Sequence, residues 1–240
     1  MQESIKKIAR RMPFSDKAKA ILRRVFNPSF IYFLRSNPEP LSDHAGFDRG
    51  TPLDRYYIES FLGQNQGSIR GTCLELLNDS YTIKYGGDRV MKNDVLDIDK
   101  NNKQATIIDD LRSLKTVKDG VYDCIILTQV FQFIDDLDAS ISECYRILKP
   151  GGTLLATLPS LSRIDVSSGI DGDYWRFTTA STDYLFKKKF HADKLSIKSV
   201  GNARSGIFFY AGLAVEDASR KTLVVNDPNF PLIITVRAIK

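Results

Sequence analysis

Three carboxylates stand where a folded sheet could use them to bind a ligand. Glu75 lies inside one short apolar run of the sequence, Asp97 near the end of the next, and Asp110 just after a third. If these runs are strands of a doubly wound sheet, the carboxylates lie near the strand ends, which is where such sheets bind ligands. An ionised carboxylate offers two acceptor oxygens and no donor, so Asp97 suits a pair of neighbouring hydroxyl groups. Asp99 is the alternative to Asp97, and Asp109 is the alternative to Asp110.

A second set of polar residues could bind an acceptor molecule or take its proton. Residues 173–177, Asp-Tyr-Trp-Arg-Phe, place a carboxylate, the single tryptophan and an arginine side by side. They could bind a sugar ring by stacking, or an anionic group through a bidentate arginine. Equally, their rings could anchor the helix that follows. The candidate catalytic residues are His44, Asp48, Gln132, Asp135 and Asp173.

Residues 122–160 supply the elements that would position these side chains. Residues 124–127 form a short apolar run that suits a strand buried on both faces. Apolar residues then recur at helical spacing over 139–148, which predicts a helix with one face on a sheet. Pro150 cannot continue that helix, and the two glycines after it permit a sharp turn into a second apolar strand that ends at Leu158. A strand–helix–strand unit of this size indicates a right-handed crossover in a parallel sheet.

This unit resembles that of the class I S-adenosylmethionine-dependent methyltransferases. The family commonly shows an aspartate before an apolar strand, a helix that ends in R-x-L-K-P-G-G, and a strand that ends near a proline. Asp123, residues 146–152 and Pro159 match these features. The resemblance implies an α/β fold with a doubly wound Rossmann-like sheet, mostly parallel with an antiparallel edge strand. It also implies S-adenosylmethionine as the cofactor and methyl transfer as the reaction.

The sequence departs from the family in the loop after the first strand. There the family has an acidic residue followed by glycines, E-x-G-x-G, which let the backbone approach the methionine part of the cofactor. Glu75 matches the acid, but Leu77, Asp79 and Tyr81 occupy the glycine positions. Hydroxyls and two glycines within residues 80–87 could form a different loop for the cofactor.

The closest resemblance is to a bacterial branch of the family that lacks this glycine signature. The branch shows L-E-x-x-x-x-x-Y-T-x-x-[FY]-G-G in its place, as residues 74–87 do here. It often shows G-F-D-R-G-x-P-x-D-R-Y-Y-I and D-Y-W-R-F-T as well, seen here at residues 46–58 and 173–178. The resemblance covers about residues 41–240.

The resemblance also implies which residues of this chain bind the cofactor and the substrate. Asp97 would accept the ribose hydroxyls and Asp110 the adenine amino group, while Phe131 would lie near the adenine or sulfonium, unless it is plain core packing. The implied cofactor-binding residues are Glu75, Leu76, Leu77, Tyr81, Asp97, Ile98, Asp110, Leu111, Thr128 and Phe131. The implied substrate-binding residues are Tyr57, Gln132, Trp175 and Arg176. The catalytic residue stays open, with His44, Asp135 and Asp173 as candidates.

Residues 1–36 carry most of the positive charge. They hold nine lysines and arginines against two acidic residues, while the rest of the chain has a slight acidic excess. Two apolar stripes at helical spacing predict a basic helical arm over residues 1–40, ahead of a Rossmann-like domain over 41–240. The arm could contact a membrane surface or nucleic acid, or pack on the domain; we favour packing, because charged helix faces are common.

Composition narrows the classes of function. Hydrophobic residues make up 42% of the 240, charged residues 26%, and no apolar run approaches the length of about 20 that a membrane span needs. Three cysteines without metal-type spacing and only two histidines exclude a histidine-rich metal site, although not a carboxylate site; we expect no bound metal and a cytoplasmic protein. The acceptor is implied by the resemblance, because in the bacterial branch it is often a sugar or secondary metabolite. We expect a methyltransferase for a small molecule or glycan, acting at oxygen. The alternatives are a nucleic-acid methyltransferase, a non-catalytic binding protein, and an enzyme that contacts membranes through residues 1–36.

Overall fold

The computed structural model describes residues 38–165 and 172–240. Its centre is a seven-stranded sheet with the strand order β3-β2-β1-β4-β5-β7-β6. The strands are β1 (Gly71–Leu76), β2 (Val90–Asp97), β3 (Ile107–Ile108), β4 (Tyr122–Thr128), β5 (Leu148–Pro159), β6 (Leu195–Val200) and β7 (Ile233–Ile239). Strand β7 runs antiparallel to β5 and β6, and the other neighbours are parallel. The predicted fold class is confirmed, with the antiparallel strand one place in from the β6 edge.

Helices cover both faces of this sheet. They are α1 (Leu53–Gln64), α2 (Leu137–Ile147), α3 (Thr179–Phe186), α4 (Ala203–Tyr210) and α5 (Arg220–Val224). As predicted, β2 and β3 are joined without a crossover helix. Helix α2 begins where the Asp136 side chain accepts a hydrogen bond from the backbone N–H of Ala139, at 2.9 Å. Helices α4 and α5, between β6 and β7, were not predicted.

The apolar core is divided between the two faces of the sheet. On one face, α2 and α3 bury the largest cluster, which includes Leu74, Ile125 and Phe186. On the other face, α1 covers Cys73, Cys124 and their neighbours. The three cysteines are free and buried, which confirms their prediction as small core residues.

The Lys-Pro-Gly-Gly segment does not form the predicted turn. Helix α2 ends at Ile147, and Leu148 already pairs with Tyr122 as the first residue of β5. The pairing then jumps to Cys124 with Thr153, so the intervening residues form a bulge inside a single strand. Gly151 allows this bulge because its φ of 79° is unfavourable for other residues.

The segment before α1 is held by the chain between α4 and α5. The backbone N–H of Leu41 donates to the carbonyl of Ala211 at 2.8 Å. The buried guanidinium of Arg49 donates to both carboxylate oxygens of Asp217, at 2.8 and 3.1 Å. These contacts fix the residues that lead into α1, one wall of the site described below.

The predicted basic arm lies, except for its last residues, outside the described residues. Its helices and its contacts, and the domain boundary at residue 40, therefore stay predictions. Among the described helices, none is long and apolar enough to cross a membrane.

Candidate functional site

A cleft of about 560 Å³ opens at the carboxyl ends of β1 and β4. This volume is within the range of small-molecule sites. Its lining residues are Phe47, Gly50, Thr51, Pro52, Arg55, Glu59, Glu75, Leu76, Leu77, Asn78, Ser80, Tyr81, Lys84, Ile126, Thr128 and Val130. The cleft thus brings together the predicted cofactor residues Glu75, Leu76, Leu77, Tyr81 and Thr128. A cavity of about 440 Å³ between α2 and α3 lies away from these strand ends.

The backbone after β1 keeps a conformation that normally requires glycine. Leu77 occupies the first glycine position of the family pattern and has a φ of 68°. The backbone N–H of Asn78 donates to the carbonyl of Leu76 at 2.8 Å, which closes a tight three-residue turn around Leu77. The Leu77 side chain points outward and is 54% exposed. Strained backbone in a non-glycine residue is concentrated at functional sites.

Glu75 holds the start of the next helical turn. Its two carboxylate oxygens accept hydrogen bonds from the backbone N–H groups of Tyr81, at 3.2 Å, and Thr82, at 2.7 Å. Burial raises the pKa of Glu75, and these hydrogen bonds act in the opposite direction. Glu75 therefore fixes the backbone of the loop that follows β1.

Asp97 is oriented by a residue that sequence reasoning missed. Its Oδ1 accepts from the backbone N–H of Asp99 at 2.9 Å, and its Oδ2 accepts from the amide of Asn102 at 2.7 Å. The same Asn102 amide donates to the carbonyl of Leu77 at 2.7 Å. Asn102 thus ties the end of β2 to the tight turn after β1. Each Asp97 oxygen retains a lone pair for a further donor, while the adjacent Ile98 is exposed.

Asp110 is held by an arginine that the prediction did not include. Arg112 donates to both carboxylate oxygens of Asp110 and, through Nη1, to Asp135 at 2.7 Å. The hydrogen bonds from Arg112 lower the pKa of Asp110 and of Asp135. A carboxylate with a lowered pKa takes up a proton less readily, so Asp135 is a poor general base. Leu111, the neighbour of Asp110, is buried in the core.

Phe131 does not face the cleft. Its side chain is 0% exposed and packs edge-on against Phe186, with ring centroids 5.7 Å apart. This corrects the expectation of a ring beside the adenine or sulfonium, in favour of the core-packing alternative. Val130, the preceding residue, lines the cleft instead.

The Asp-Tyr-Trp-Arg-Phe block joins two loops at the carboxyl ends of β4 and β5. Arg176 uses all five of its N–H groups, to Asp173 and to the carbonyls of Ser162, Arg163 and Trp175. It therefore has no donor free for an anionic substrate, contrary to the expectation of a bidentate contact. Arg176 also lowers the pKa of Asp173, which makes that carboxylate a poor base.

Trp175 keeps its ring available. Its indole N–H donates to the carbonyl of Ile134 at 2.9 Å, yet the residue is 41% exposed. The neighbouring Tyr174 is also exposed, and its backbone N–H donates to the carbonyl of Gln132 at 2.8 Å. Two aromatic faces thus stand beside the loop that follows β4.

The remaining predicted residues lie away from the cleft lining. Tyr57 is buried in α1 and packs edge-on against Tyr56, and Gln132 is buried with its amide bonded to the carbonyl of Gln129 at 2.8 Å. His44 is exposed, with Asp43 3.4 Å away. The Ser42 hydroxyl donates to Asp48. None of these side chains contacts the turn after β1 through a described hydrogen bond.

The chemistry of the lining fits an amino acid joined to a nucleoside. Glu59 and Glu75 supply negative charge, Arg55 and Lys84 positive charge, and Ser80 a hydroxyl. Apolar residues form the floor, and Asp97 adjoins the cleft through Asn102. These are the groups that S-adenosylmethionine requires, with its zwitterionic methionyl part, its sulfonium and its ribose.

The middle of the chain matches a known family. Residues 70–156 match the family model described as a methyltransferase domain. This range holds β1 to β4, α2 and most of β5, and therefore the strand ends that form the cleft. A comparison with curated proteins found no match.

Solved methyltransferase structures share the fold. An S-adenosylmethionine-dependent methyltransferase from Mesorhizobium loti is 12% identical, over 78% of this chain and 100% of its own, with a TM-score of 0.53. Phosphoethanolamine N-methyltransferase 2 from Haemonchus contortus, in complex with S-adenosyl-L-methionine, is 14% identical, over 96% of this chain and 58% of its own, with a TM-score of 0.53. At these identities the likeness shows a shared fold, and the matched range shows a methyltransferase domain within it.

Proposed function

We propose that the protein transfers a methyl group from S-adenosylmethionine to a small molecule or glycan, at oxygen. The observation that carries the proposal is the cleft at the ends of β1 and β4, inside the range that matches a methyltransferase domain. When bound, the cofactor supplies a methyl group on a positively charged sulfur, open to direct displacement. The protein's main task is then to align the acceptor, because correct positioning alone removes much of the barrier.

Residues at three strand ends would hold the cofactor. Asp97, oriented by Asn102, accepts the ribose hydroxyls, and Glu75 maintains the loop beside the methionyl part. Leu76 and Thr128 line the space between β1 and β4. Asp110 remains the proposed contact of the adenine amino group and Ile98 a proposed cofactor contact; both follow the carboxyl ends of the paired strands β2 and β3.

Two exposed rings support a sugar or other ring-shaped acceptor. The Trp175 ring is held through its indole N–H to the loop after β4, so its face can be offered without a large loss of side-chain freedom. The backbone of Tyr174 is held to the same loop. Nucleic acid is disfavoured as the acceptor because the part of the chain that forms the cleft, after residue 36, has a slight acidic excess and would repel a phosphate backbone rather than attract it.

Calorimetry with S-adenosylhomocysteine tests the cofactor assignment. We expect micromolar binding to the wild type and a loss of about 10- to 100-fold in Asp97→Ala, since a charge-assisted hydrogen bond is removed. Asp99→Ala, which removes the neighbouring exposed carboxylate, is the matched control and should bind nearly as the wild type does. Absence of binding to folded wild-type protein would favour the non-catalytic alternative.

Transfer of a labelled methyl group tests the acceptor. Hydroxylated sugars should accept the label, and Trp175→Ala should raise KM more than it lowers kcat, because the ring binds the acceptor without taking part in the displacement. Label that appears in nucleic acid, and not in small molecules, would refute this acceptor class.

A peripheral membrane contact through residues 1–36 is a separate proposal, supported by their charge and apolar stripes. Replacement of Lys6, Lys7, Arg10 and Arg11 by glutamine should then reduce co-sedimentation with anionic vesicles. Equal co-sedimentation of this variant and the wild type would argue against the contact.

A further inference from the structure

Five of the six backbone amides from Leu77 to Thr82 are already engaged within the protein. The N–H of Leu77 donates to the carbonyl of Leu96 at 3.0 Å, and that of Asn78 closes the tight turn. The N–H of Ser80 donates to the Asn78 side chain at 3.1 Å, and the next two N–H groups donate to Glu75. A glycine loop can turn several such amides toward a ligand, whereas this loop leaves, among its described contacts, only the N–H of Asp79, a residue that does not line the cleft. A carboxylate in the cleft must therefore be recognised mainly by a side chain.

Two cationic side chains line the cleft, and one of them is already paired. Lys84 lies 2.8 Å from the carboxylate of Glu59. Arg55 donates one N–H to the Tyr81 hydroxyl at 2.9 Å. Among residues 38–165 and 172–240, no carboxylate lies within ion-pair distance of the Arg55 guanidinium. Of the two cations that line the described cleft, Arg55 is thus the one without an ion-pair partner, and the contact with Tyr81 occupies one of its five N–H donors.

Tyr81 gives Arg55 a fixed direction. It lies in the loop that replaces the glycine signature, and Glu75 holds its backbone N–H. Its phenol oxygen accepts from Nη1 of Arg55, so the guanidinium is tied to the same loop whose amides are engaged. A planar guanidinium held in this way suits a carboxylate better than a mobile ammonium would.

We infer that Arg55 binds the carboxylate of the methionyl part of the cofactor, in place of the amides of a glycine loop. This rests on the proposed function, because it takes S-adenosylmethionine as the ligand of the cleft. It accounts for the coexistence of a glycine-free loop and a cleft of suitable size. It also assigns a role to the arginine of the D-R-Y-Y segment, residues 54–57.

A comparison of two ligands tests the inference. S-adenosylhomocysteine carries the carboxylate, whereas 5′-methylthioadenosine keeps the nucleoside and sulfur but lacks the amino-acid part. Calorimetry on the wild type and Arg55→Gln should show a loss of about 10- to 100-fold for S-adenosylhomocysteine. The affinity for 5′-methylthioadenosine should be the same in both proteins.

Two further variants test whether the effect belongs to the guanidinium of Arg55 and to its orientation. Arg70→Gln removes an exposed arginine just before β1, at the opposite end of the strand, and should change neither affinity. Tyr81→Phe keeps Arg55 but removes the hydroxyl that directs it, and should weaken S-adenosylhomocysteine alone by about 3- to 10-fold. It also tests the inference should Arg55→Gln fail to fold.

Each other outcome has a distinct meaning. If Arg55→Gln weakens both ligands equally, Arg55 only supports the fold of the cleft and the inference is overturned. If it weakens neither, the carboxylate is bound elsewhere and the inference is again overturned. If the folded wild type binds neither ligand, the proposed function itself fails, and the inference fails with it.

Discussion

The loop after β1 and the β4–α2–β5 unit belong to neighbouring strands, yet they follow the methyltransferase pattern to opposite degrees. In the β4–α2–β5 unit the residue types match the methyltransferase pattern, and the described contacts of these residues hold the fold together. Arg146 of the R-x-L-K-P-G-G run makes five hydrogen bonds, to Glu143, Asp119 and two carbonyls of the β3–β4 connection. In the β1 loop the residue types differ, but Leu77 keeps a glycine-like φ of 68°.

This difference separates two kinds of information in a motif. The matched residues hold the β4–α2–β5 crossover together and identify the fold. The altered residues lie in the cleft, where Leu77 keeps the glycine-like backbone conformation. On the inference made above, the groups that meet the ligand there are side chains such as Arg55.

The largest effect is expected from Arg146→Ala in the matched unit. The change removes two of the three donors to the partly buried Glu143, which keeps only the N–H of Leu114, and it removes the Arg146 donors to the carbonyls of Leu114 and Val117. We therefore expect a loss of about 2–3 kcal/mol in the free energy of unfolding. Urea denaturation measures it, and Arg204→Ala, an exposed arginine of α4, is the control. A loss below about 0.5 kcal/mol would show that the R-x-L-K-P-G-G arginine is dispensable for the fold.

The contact between Arg146 and Glu143 predicts that the free energy of unfolding depends on pH. Arg146 lowers the pKa of Glu143, so the stability that this interaction contributes is present above the unfolded pKa of about 4.3 and is lost as the pH falls through the lower folded value. The difference in unfolding free energy between the wild type and Arg146→Ala should therefore shrink in acid. A difference that stays constant from neutral pH into strong acid would mean that the carbonyl contacts carry the whole effect.

In the altered loop, Asn102→Ala should affect binding more than stability. Asn102 joins Asp97 to the turn at Leu77, so its loss leaves the Asp97 carboxylate less well oriented. We expect a 3- to 10-fold weaker affinity for S-adenosylhomocysteine, by calorimetry, with an unfolding free energy within about 1 kcal/mol of the wild type. If Asn102→Ala lowers the free energy of unfolding but leaves the affinity for S-adenosylhomocysteine unchanged, Asn102 supports the fold and not the binding site.

The smallest effect is expected from Leu77→Gly. Relief of the left-handed backbone favours the variant by about 1–2 kcal/mol, and the greater freedom of glycine in the unfolded chain offsets about half of this. The net gain should be below about 1 kcal/mol, whereas Leu76→Gly, in the strand just before, should destabilise. A destabilised Leu77→Gly protein would mean that the leucine side chain, and not the backbone, is what this position requires.

The sequence predicted the elements of this fold better than the contacts of its site. Period and turn residues located β4, α2 and the late strands, because these signals are local. The bulge at Gly151 was missed because it depends on a register with β4 that no local pattern records. The contacts of Asn102 and Arg112 were missed because their partners come from other elements, and only the folded chain shows which donors are engaged. At Leu77 the sequence was partly informative. A leucine at a glycine position predicted an altered loop, but it did not predict that the backbone would keep the left-handed conformation typical of glycine.

A crystal structure of the complex with S-adenosylhomocysteine tests the central claim most directly. The account predicts that the ligand lies in the cleft at the ends of β1 and β4, with its ribose hydroxyls on Asp97 and its carboxylate on Arg55. A ligand bound elsewhere on the protein, or one in the cleft with its carboxylate on the amides of residues 77–82, would contradict it.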